Sequence, residues 1–326
     1  MAAADTIDVT TVGEALIDFV AVTATDLSGA TDFVRAAGGA PANAAVAAAR
    51  LGAAAAFVGA VGDDPFGAYL ADTLSANGVD TSALRRLPDR TTLAFVARNL
   101  GGIPDFVFYR GADAALRPED LSEDLLAHSA FVHVGSTALT REPSRSATLA
   151  AVEAARRAGA LVSVDPNLRP SSWPSLDAAL HEVAPLLQVA NVLKVNEEEA
   201  RLFTAVASLT DALGALGRDD SLVVITCGSD GCLWRWQGQT GAVGAPKVAV
   251  VDTTGAGDAF VGALLAELRF CGFSSSNLGD LSPSQLTDVL RFACAAGSIS
   301  CTRTGAMTSL PTRREVEQLL ALSPEP

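Results

Sequence analysis

The chain has 326 residues, with 23 Lys+Arg against 37 Asp+Glu and a formal net charge of −14 at pH 7. That balance repels polyphosphate backbones and anionic bilayers, so it argues against a nucleic-acid or membrane partner while leaving a locally arranged anion site open. Apolar residues make up 49%, which excludes a disordered chain and allows one large core.

In chain order, the β-branched run 7–13 predicts a strand, and the Ala-rich stretch 42–51 a helix. A second strand is expected over 54–61. Asp64-Pro65 then opens a helix through residue 74, closed by Asn77-Gly78. Further strands are expected at 130–134, 161–165, 192–195 and 221–226, separated by helices over Ser144–Ala158, 176–187 and 197–205. Such alternation predicts a mostly parallel sheet covered by helices on both faces. Residues 14–35 and 91–110 break the rhythm as strands without intervening helices, Thr92–Arg98 and Phe106–Arg110 among them. They read as a small β-flap, a lid over a site. A hairpin is expected around 228–236. Residues 250–260 read as a strand end, a two-glycine turn and a helix to about 268. Nothing divides the chain, so 1–326 is expected to be one domain.

Cys227, Cys232, Cys271, Cys294 and Cys301 include no C-x-x-C pair, and three histidines do not complete a zinc pattern. Reduced thiols in the cytoplasm fit best. No basic residue precedes Arg35, and the most apolar stretch, 36–62, is interrupted by Pro41, Asn43 and Arg50, so neither a secretory leader nor a membrane span is expected. Only Lys194 and Lys247 are lysines, and neither sits in a glycine-rich loop, which disfavours Schiff-base and Walker-type chemistry.

The strongest local signal is Asp252-Thr253-Thr254-Gly255-Ala256-Gly257-Asp258. Glycines admit close backbone approach, and a helix start adds N–H donors and a positive dipole end, so an anion is expected at Gly255, Ala256 and Gly257. A carboxylate there opposes anion binding unless it has other work. Asp258 either takes a proton from an attacking hydroxyl or caps its own helix, and spacing alone leaves both open. Asp18 can accept two hydroxyl hydrogen bonds. Gly38 and Gly39 can pass close to a polyhydroxylated ligand, and Asn43 can donate and accept. The alternative makes Gly38-Gly39 an ordinary loop and Asn43 an N-cap.

Residues 252–260 resemble the C-terminal signature of the ribokinase-like (phosphofructokinase B) family of sugar and nucleoside kinases. Gly38-Gly39-Ala40-Pro41-Ala42-Asn43, followed by Arg50-Leu51-Gly52 and Gly59-Ala60-Val61-Gly62-Asp63-Asp64, resembles the N-terminal one. The resemblance covers essentially the whole chain. It implies a three-layer α/β/α ribokinase-like fold, with a mostly parallel central sheet and a small β-strand lid, and transfer of a phosphoryl group from ATP with Mg²⁺. Asp258 becomes the base, and Gly255, Ala256 and Gly257 the anion-binding turn. Asp18, Gly38, Gly39 and Asn43 become sugar contacts.

Asn196-Glu197-Glu198-Glu199 resembles the family's N-x-x-E motif, which implies Asn196 at the nucleotide and Glu199 at Mg²⁺ through water; read alone, the glutamates start a helix. Thr226, Gly228 and Gly231 match a nucleotide-binding turn that is otherwise a hairpin turn. Asp252, Thr254, Ser300, Arg303, Gly305 and Ser309 match loops that hold a monovalent cation such as K⁺. Asp165-Pro166-Asn167-Leu168-Arg169 and the lid segment through Phe108, Tyr109 and Arg110 are similar to motifs of fructokinases and 2-keto-3-deoxygluconate kinases. They imply Arg169, Phe108 and Arg110 at the substrate, with Arg98 adding charge to the lid. Phe108 stands where acid-sugar kinases tend to place a tyrosine, which points to a neutral ketohexose. The expected function is therefore a fructokinase using only sugar and ATP, with a homodimer allowed. The alternatives are a 2-keto-3-deoxygluconate kinase and a non-catalytic sugar- or nucleotide-binding homologue.

Overall fold

The computed structural model describes residues 7–22, 26–98 and 104–322. The chain opens with β1 (Ile7–Val12), β2 (Leu16–Ala21), β3 (Phe33–Gly38), α1 (Ala40–Arg50), β4 (Ala55–Gly62) and α2 (Pro65–Ala76). Asp64 caps α2 by accepting from the N–H groups of Phe66 and Gly67, so the Asp-Pro start works as its chemistry predicts. Then come β5 (Val79–Asp80), β6 (Leu84–Leu87), β7 (Leu93–Arg98) and β8 (Pro104–Tyr109). Next are α3 (Glu123–Ala127), β9 (Ser129–Val134), α4 (Ser144–Ala158), β10 (Leu161–Val164), α5 (Leu176–Val189) and β11 (Val192–Asn196). The remainder is α6 (Glu197–Thr204), α7 (Leu209–Ala215), β12 (Leu222–Thr226), β13 (Cys232–Trp236), β14 (Gln239–Val243), α8 (Ala256–Phe270), α9 (Pro283–Ser300) and α10 (Arg313–Leu322).

The main sheet has the order β14-β13-β12-β11-β10-β9-β1-β4-β5, with β6 also on β4. It is parallel except for the β12-β13-β14 meander. Strand residues alternate between two covered faces. Phe131, Leu161, Val192 and Leu222 pack with α8 and α9, whereas Val132, Val162, Leu193 and Val223 pack under α4, α5 and α7. That makes three layers, as expected. Among the described residues, no helix is long and apolar enough to cross a membrane.

Helices α1 and α8 meet along a seam of small residues. A Cβ on Gly262 would stand 2.5 Å from the Ala47 Cβ and 2.7 Å from the Ala44 carbonyl oxygen. Only glycine permits this approach.

The flap is a separate four-stranded sheet, β3-β2-β7-β8. One face carries an aromatic cluster in which Phe19 stacks on Phe95 at 5.2 Å, and Phe33 and Tyr109 meet Phe95 edge-on. Phe66 and Tyr69 of α2 anchor that face, Phe66 against Phe19 and Tyr69 beneath the Arg35 guanidinium. Register puts Ala36, Asp18, Ala94 and Phe108 in one row across the other face.

One alternative reading and one expectation are corrected. Gly38 is not in a loop: β3 runs on to it because Ala36–Gly38 pair with Leu16–Asp18. Val250 and Val251 form no strand and are exposed, since the N–H groups of Val251 and Asp252 go to the Cys301 carbonyl rather than to a neighbouring strand.

Candidate active site

In an open parallel sheet, the place where strand order reverses leaves a crevice at the carboxyl ends. Here the chain runs from β1 to β4 on one side and through β9, β10 and β11 on the other. Asp18, Asn43, Asn167, Arg169 and Asp258 come together.

Gly255 is the N-cap of α8 with φ 79°, and no side chain caps this helix. Asp258 is buried in the first turn, and its carboxylate points elsewhere. Asn43 Nδ2 donates to Asp258 Oδ2 at 2.7 Å, and Asn167 Nδ2 to Oδ1 at 3.5 Å. Between the two readings left open by spacing, the capping one is therefore not what forms. Nor is Asn43 an N-cap. It lies inside α1, whose N-cap is Gly39, and its Oδ1 is a buried acceptor with no partner in the described structure. Burial raises Asp258 to about 6, with Asp165 adding to the rise and the Asn43 hydrogen bond, Lys194 and Arg169 opposing it. Burial, then the Asp258 charge, push Asp18 up to about 7 against Arg169. Two carboxylates and one guanidinium thus share a pocket.

Gly38 exists for Asp18: a Cβ there would lie 2.0 Å from Asp18 Oδ2. Gly39, at φ 105°, turns the chain against the Glu14 carbonyl oxygen. In the anion turn, the Ala256 N–H is drawn to Thr253 O at 3.2 Å. Phe108 joins the Asp18 row, and an open cleft of about 340 Å³ beside it is lined by Arg110, Arg141 and Ser171 among others. The side chains of Arg98 and Phe106 lie outside the described residues.

Several expected roles change. Arg110 is not poised on the flap: its buried guanidinium pairs with buried Asp113 and donates to Thr137 O and Thr140 Oγ1. Thr92 Oγ1 bonds Asp113 in turn and accepts the Gly111 N–H, so the roots of β7 and β8 are tied to the loop after β9. Breaking a buried pair costs about 3–5 kcal/mol because it strands a charge. Arg110→Met should therefore lower the melting temperature markedly, and Asp113→Asn less. A variant that melts like wild type while losing only sugar affinity would return Arg110 to the substrate.

Asn196 and Glu199 form a capping box at the start of α6, and Glu199 also accepts the Leu168 N–H at 2.6 Å, so both its oxygens are taken. A metal would reach it only through water. Thr226 ends β12, its hydroxyl on Val195 O, and Gly228 is open with φ 55°. Gly231 is crowded instead, since a Cβ there would sit 1.9 Å from Val243 O; it shapes the β13 hairpin.

The two segments around Asp252 and Gly305, expected to hold a monovalent cation, meet. Asp252 accepts from the Thr254 N–H at 2.8 Å and from the Gly305 N–H at 3.0 Å. The hydroxyls of Ser300 and Ser309 donate to carbonyls three residues back, and Arg303 pairs with Glu315 of α10, leaving backbone carbonyls as the donor class there. Sequence reasoning missed Asn167, Asp165 and Lys194 as parts of the site, and Asp113 as the partner of Arg110. Asp165 and Asn167 stood in the motif that supplied Arg169. Lys194 lies outside every glycine loop in sequence, yet beneath one in space.

A profile of pfkB family carbohydrate kinases matches residues 6–313. The chain belongs to that family. Among its relatives is fructokinase-1 of Oryza sativa subsp. japonica, 44% identical over 94% of this chain and 96% of that protein. Among solved structures, fructokinase with bound ATP from Xylella fastidiosa is 34% identical, with a TM-score of 0.88 over 98% of this chain and 99% of that one. A fructokinase from Vibrio cholerae, solved in its fructose, ADP and calcium bound form, is 34% identical with a TM-score of 0.83, over 96% and 98% of the two chains. Family membership makes this a ribokinase-like α/β fold and a phosphotransferase acting on sugar hydroxyls.

Proposed function

We propose that this chain is an ATP-dependent fructokinase that moves the γ-phosphoryl group of ATP to a hydroxyl of a ketohexose. The observation that carries the reading is Asp258 held by two amides beside the glycine turn, with its carboxylate turned away from its own helix. The family and the ligands of the related enzymes support it. Asp18 and the orphan Asn43 Oδ1 hold sugar hydroxyls, which are the donors a buried acceptor needs. Asp258 takes the proton of the attacking hydroxyl, and the N–H groups of Gly255 and Gly257 hold the transferring group, joined by that of Ala256 once it leaves Thr253 O. Arg169, close enough to shift both Asp18 and Asp258, balances the charge between them.

Mg²⁺ fits an oxygen-lined edge that offers no dedicated cage, since it keeps most of its water and takes phosphates as ligands. Glu199 would meet it through water, and Asn196 and Thr226 would border the nucleotide. The ion would offset phosphate charge. We place K⁺ at the joined loops around Asp252 and Gly305, where it would stiffen the turn. Five cysteines without a C-x-x-C pair suit a reducing cytoplasm.

Arg110 also bears on the sugar. Its charge is matched by Asp113 rather than offered to a substrate carboxylate, which favours fructose over 2-keto-3-deoxygluconate. ADP-release assays across fructose, ribose, adenosine and 2-keto-3-deoxygluconate test this. Fructose should give the highest kcat/KM, and a clear preference for the acid sugar would overturn the choice. The pH dependence follows from the raised carboxyls. As pH falls through about 6, Asp258 gains the proton that it must be free to accept. The kcat/KM profile should therefore show an acid limb near pH 6; activity flat from pH 5 to 8 would contradict it.

A further inference from the structure

Lys194 sits where a lysine is expensive to keep. Its side chain is buried on β11, and its Nζ lies 3.1 Å from where a Cβ on Gly257 would be. A buried ammonium needs a carboxylate partner, and Nζ donates to Asp165 Oδ2 at 2.8 Å. The other Asp165 oxygen accepts the Asn167 N–H at 3.2 Å. Asn167 is held at φ 45°, a strained backbone for a residue with a side chain, and from there its amide reaches Asp258. One line of contacts thus runs from Lys194 through Asp165 and Asn167 to Asp258.

We propose that Lys194, anchored by Asp165, is a positioning residue for phosphoryl transfer: it fixes a positive charge beneath the glycine turn and sets the charge and orientation of Asp258. The proposal rests on the reading of Asp258 as the base. Asp258 is faced by Asn43 of α1, by Asp18 of β2, by Asp165, Asn167 and Arg169 from the segment after β10, and by Lys194 of β11. Lys194 and Arg169 favour its ionised form, while Asp165 and Asp18 oppose it. Behind the pair stand Glu199 of α6 and His133 of β9. Burial works against the Lys194 charge, but Asp165, Glu199 and Asp258 together hold it above its ordinary range. Burial lowers His133 to about 4, so it stays neutral and bonded to Ser163.

The test uses direction, which a role in packing alone does not supply. Lys194→Gln and Asp165→Asn each remove one charge and keep a hydrogen bond across the pair. The acid limb of kcat/KM should rise by about one pH unit in Lys194→Gln, since a cation that held Asp258 ionised is gone. In Asp165→Asn it should fall. In Lys194→Gln, kcat should also drop about tenfold or more. Where a single variant fails to melt cooperatively, the double variant, which buries no lone charge, decides. Its limb should lie near that of wild type with kcat still about tenfold down, and wild-type turnover would overturn the proposal. A kcat that collapses in Asp258→Asn while the limb stays put in both single variants sinks the role of Lys194 alone. Turnover within a few-fold of wild type in Asp258→Asn removes the base reading and this proposal together.

Discussion

Asp258→Asn is expected to lower kcat by about 10²–10⁴, the range associated with general-base assistance. The substitution is nearly isosteric, and its Oδ1 can still accept across the 2.7 Å bond from Asn43 Nδ2, while its new amide N–H meets Asn167, whose amide must turn its oxygen to accept. The amide cannot take the hydroxyl proton, and it removes a charge that repels the incoming phosphate, so ATP should bind as well or slightly better. Stability runs the other way from activity. The folded protein raises Asp258 from 3.8 to about 6. A raised carboxyl favours the fold fully only below its unfolded pKa, and that contribution is lost as pH climbs through the folded one. At pH 8 the ionised carboxylate opposes folding, so the variant should melt at the same temperature or higher. Turnover within a few-fold of wild type would remove Asp258 from the chemistry.

Gly38→Ala should cost nearly as much by a different route. The added Cβ falls 2.0 Å from Asp18 Oδ2. The backbone cannot easily retreat, because Gly38 is paired with Leu16 in the β2–β3 ladder. Asp18 must swing off the sugar. Two hydroxyl hydrogen bonds to a charged acceptor are worth about 1.5–3 kcal/mol each, so sugar kcat/KM should fall by on the order of 10² to 10⁴. Nucleotide affinity, measured separately, should stay as it was. A sugar kcat/KM within threefold of wild type would show that Asp18 does not hold the sugar.

What the sequence revealed is what is written in local chemistry. Asp64-Pro65 announced α2, the alternation of apolar runs announced a parallel sheet, and the two glycine-bearing signatures announced the site. What it hid depends on partners far away in the chain. Arg110 reads as a free lid cation until Asp113 and Thr140 are seen around it. Glu199 reads as a helix start or as a partner of Mg²⁺ through water, and nothing local announces that the Leu168 N–H lands on it. Val250-Val251 has the composition of a strand, but composition does not supply the neighbouring strand that would make it one. Lys194 was hidden for the same reason. It lies in an ordinary strand, and only the fold brings the first turn of α8 to its tip, with Nζ against Gly257.

The seam between α1 and α8 has a bearing on how this protein can be engineered. Asn43 and Asp258 are 215 positions apart and share a hydrogen bond because Gly262, Ala44 and Ala47 let two helices touch almost backbone to backbone. Small residues in a helix interior are usual targets for thermostabilising replacement, since Gly→Ala raises helix propensity by up to about 1 kcal/mol. At Gly262 that replacement would act as a spacer. It would wedge the helices apart by a fraction of an ångström and lengthen the bond that orients the carboxylate. Overpacking against the α1 backbone costs more than the helix propensity returns, so this replacement should melt earlier as well as turn over slowly, whereas changes on the outer faces of α4 and α5 should leave catalysis alone.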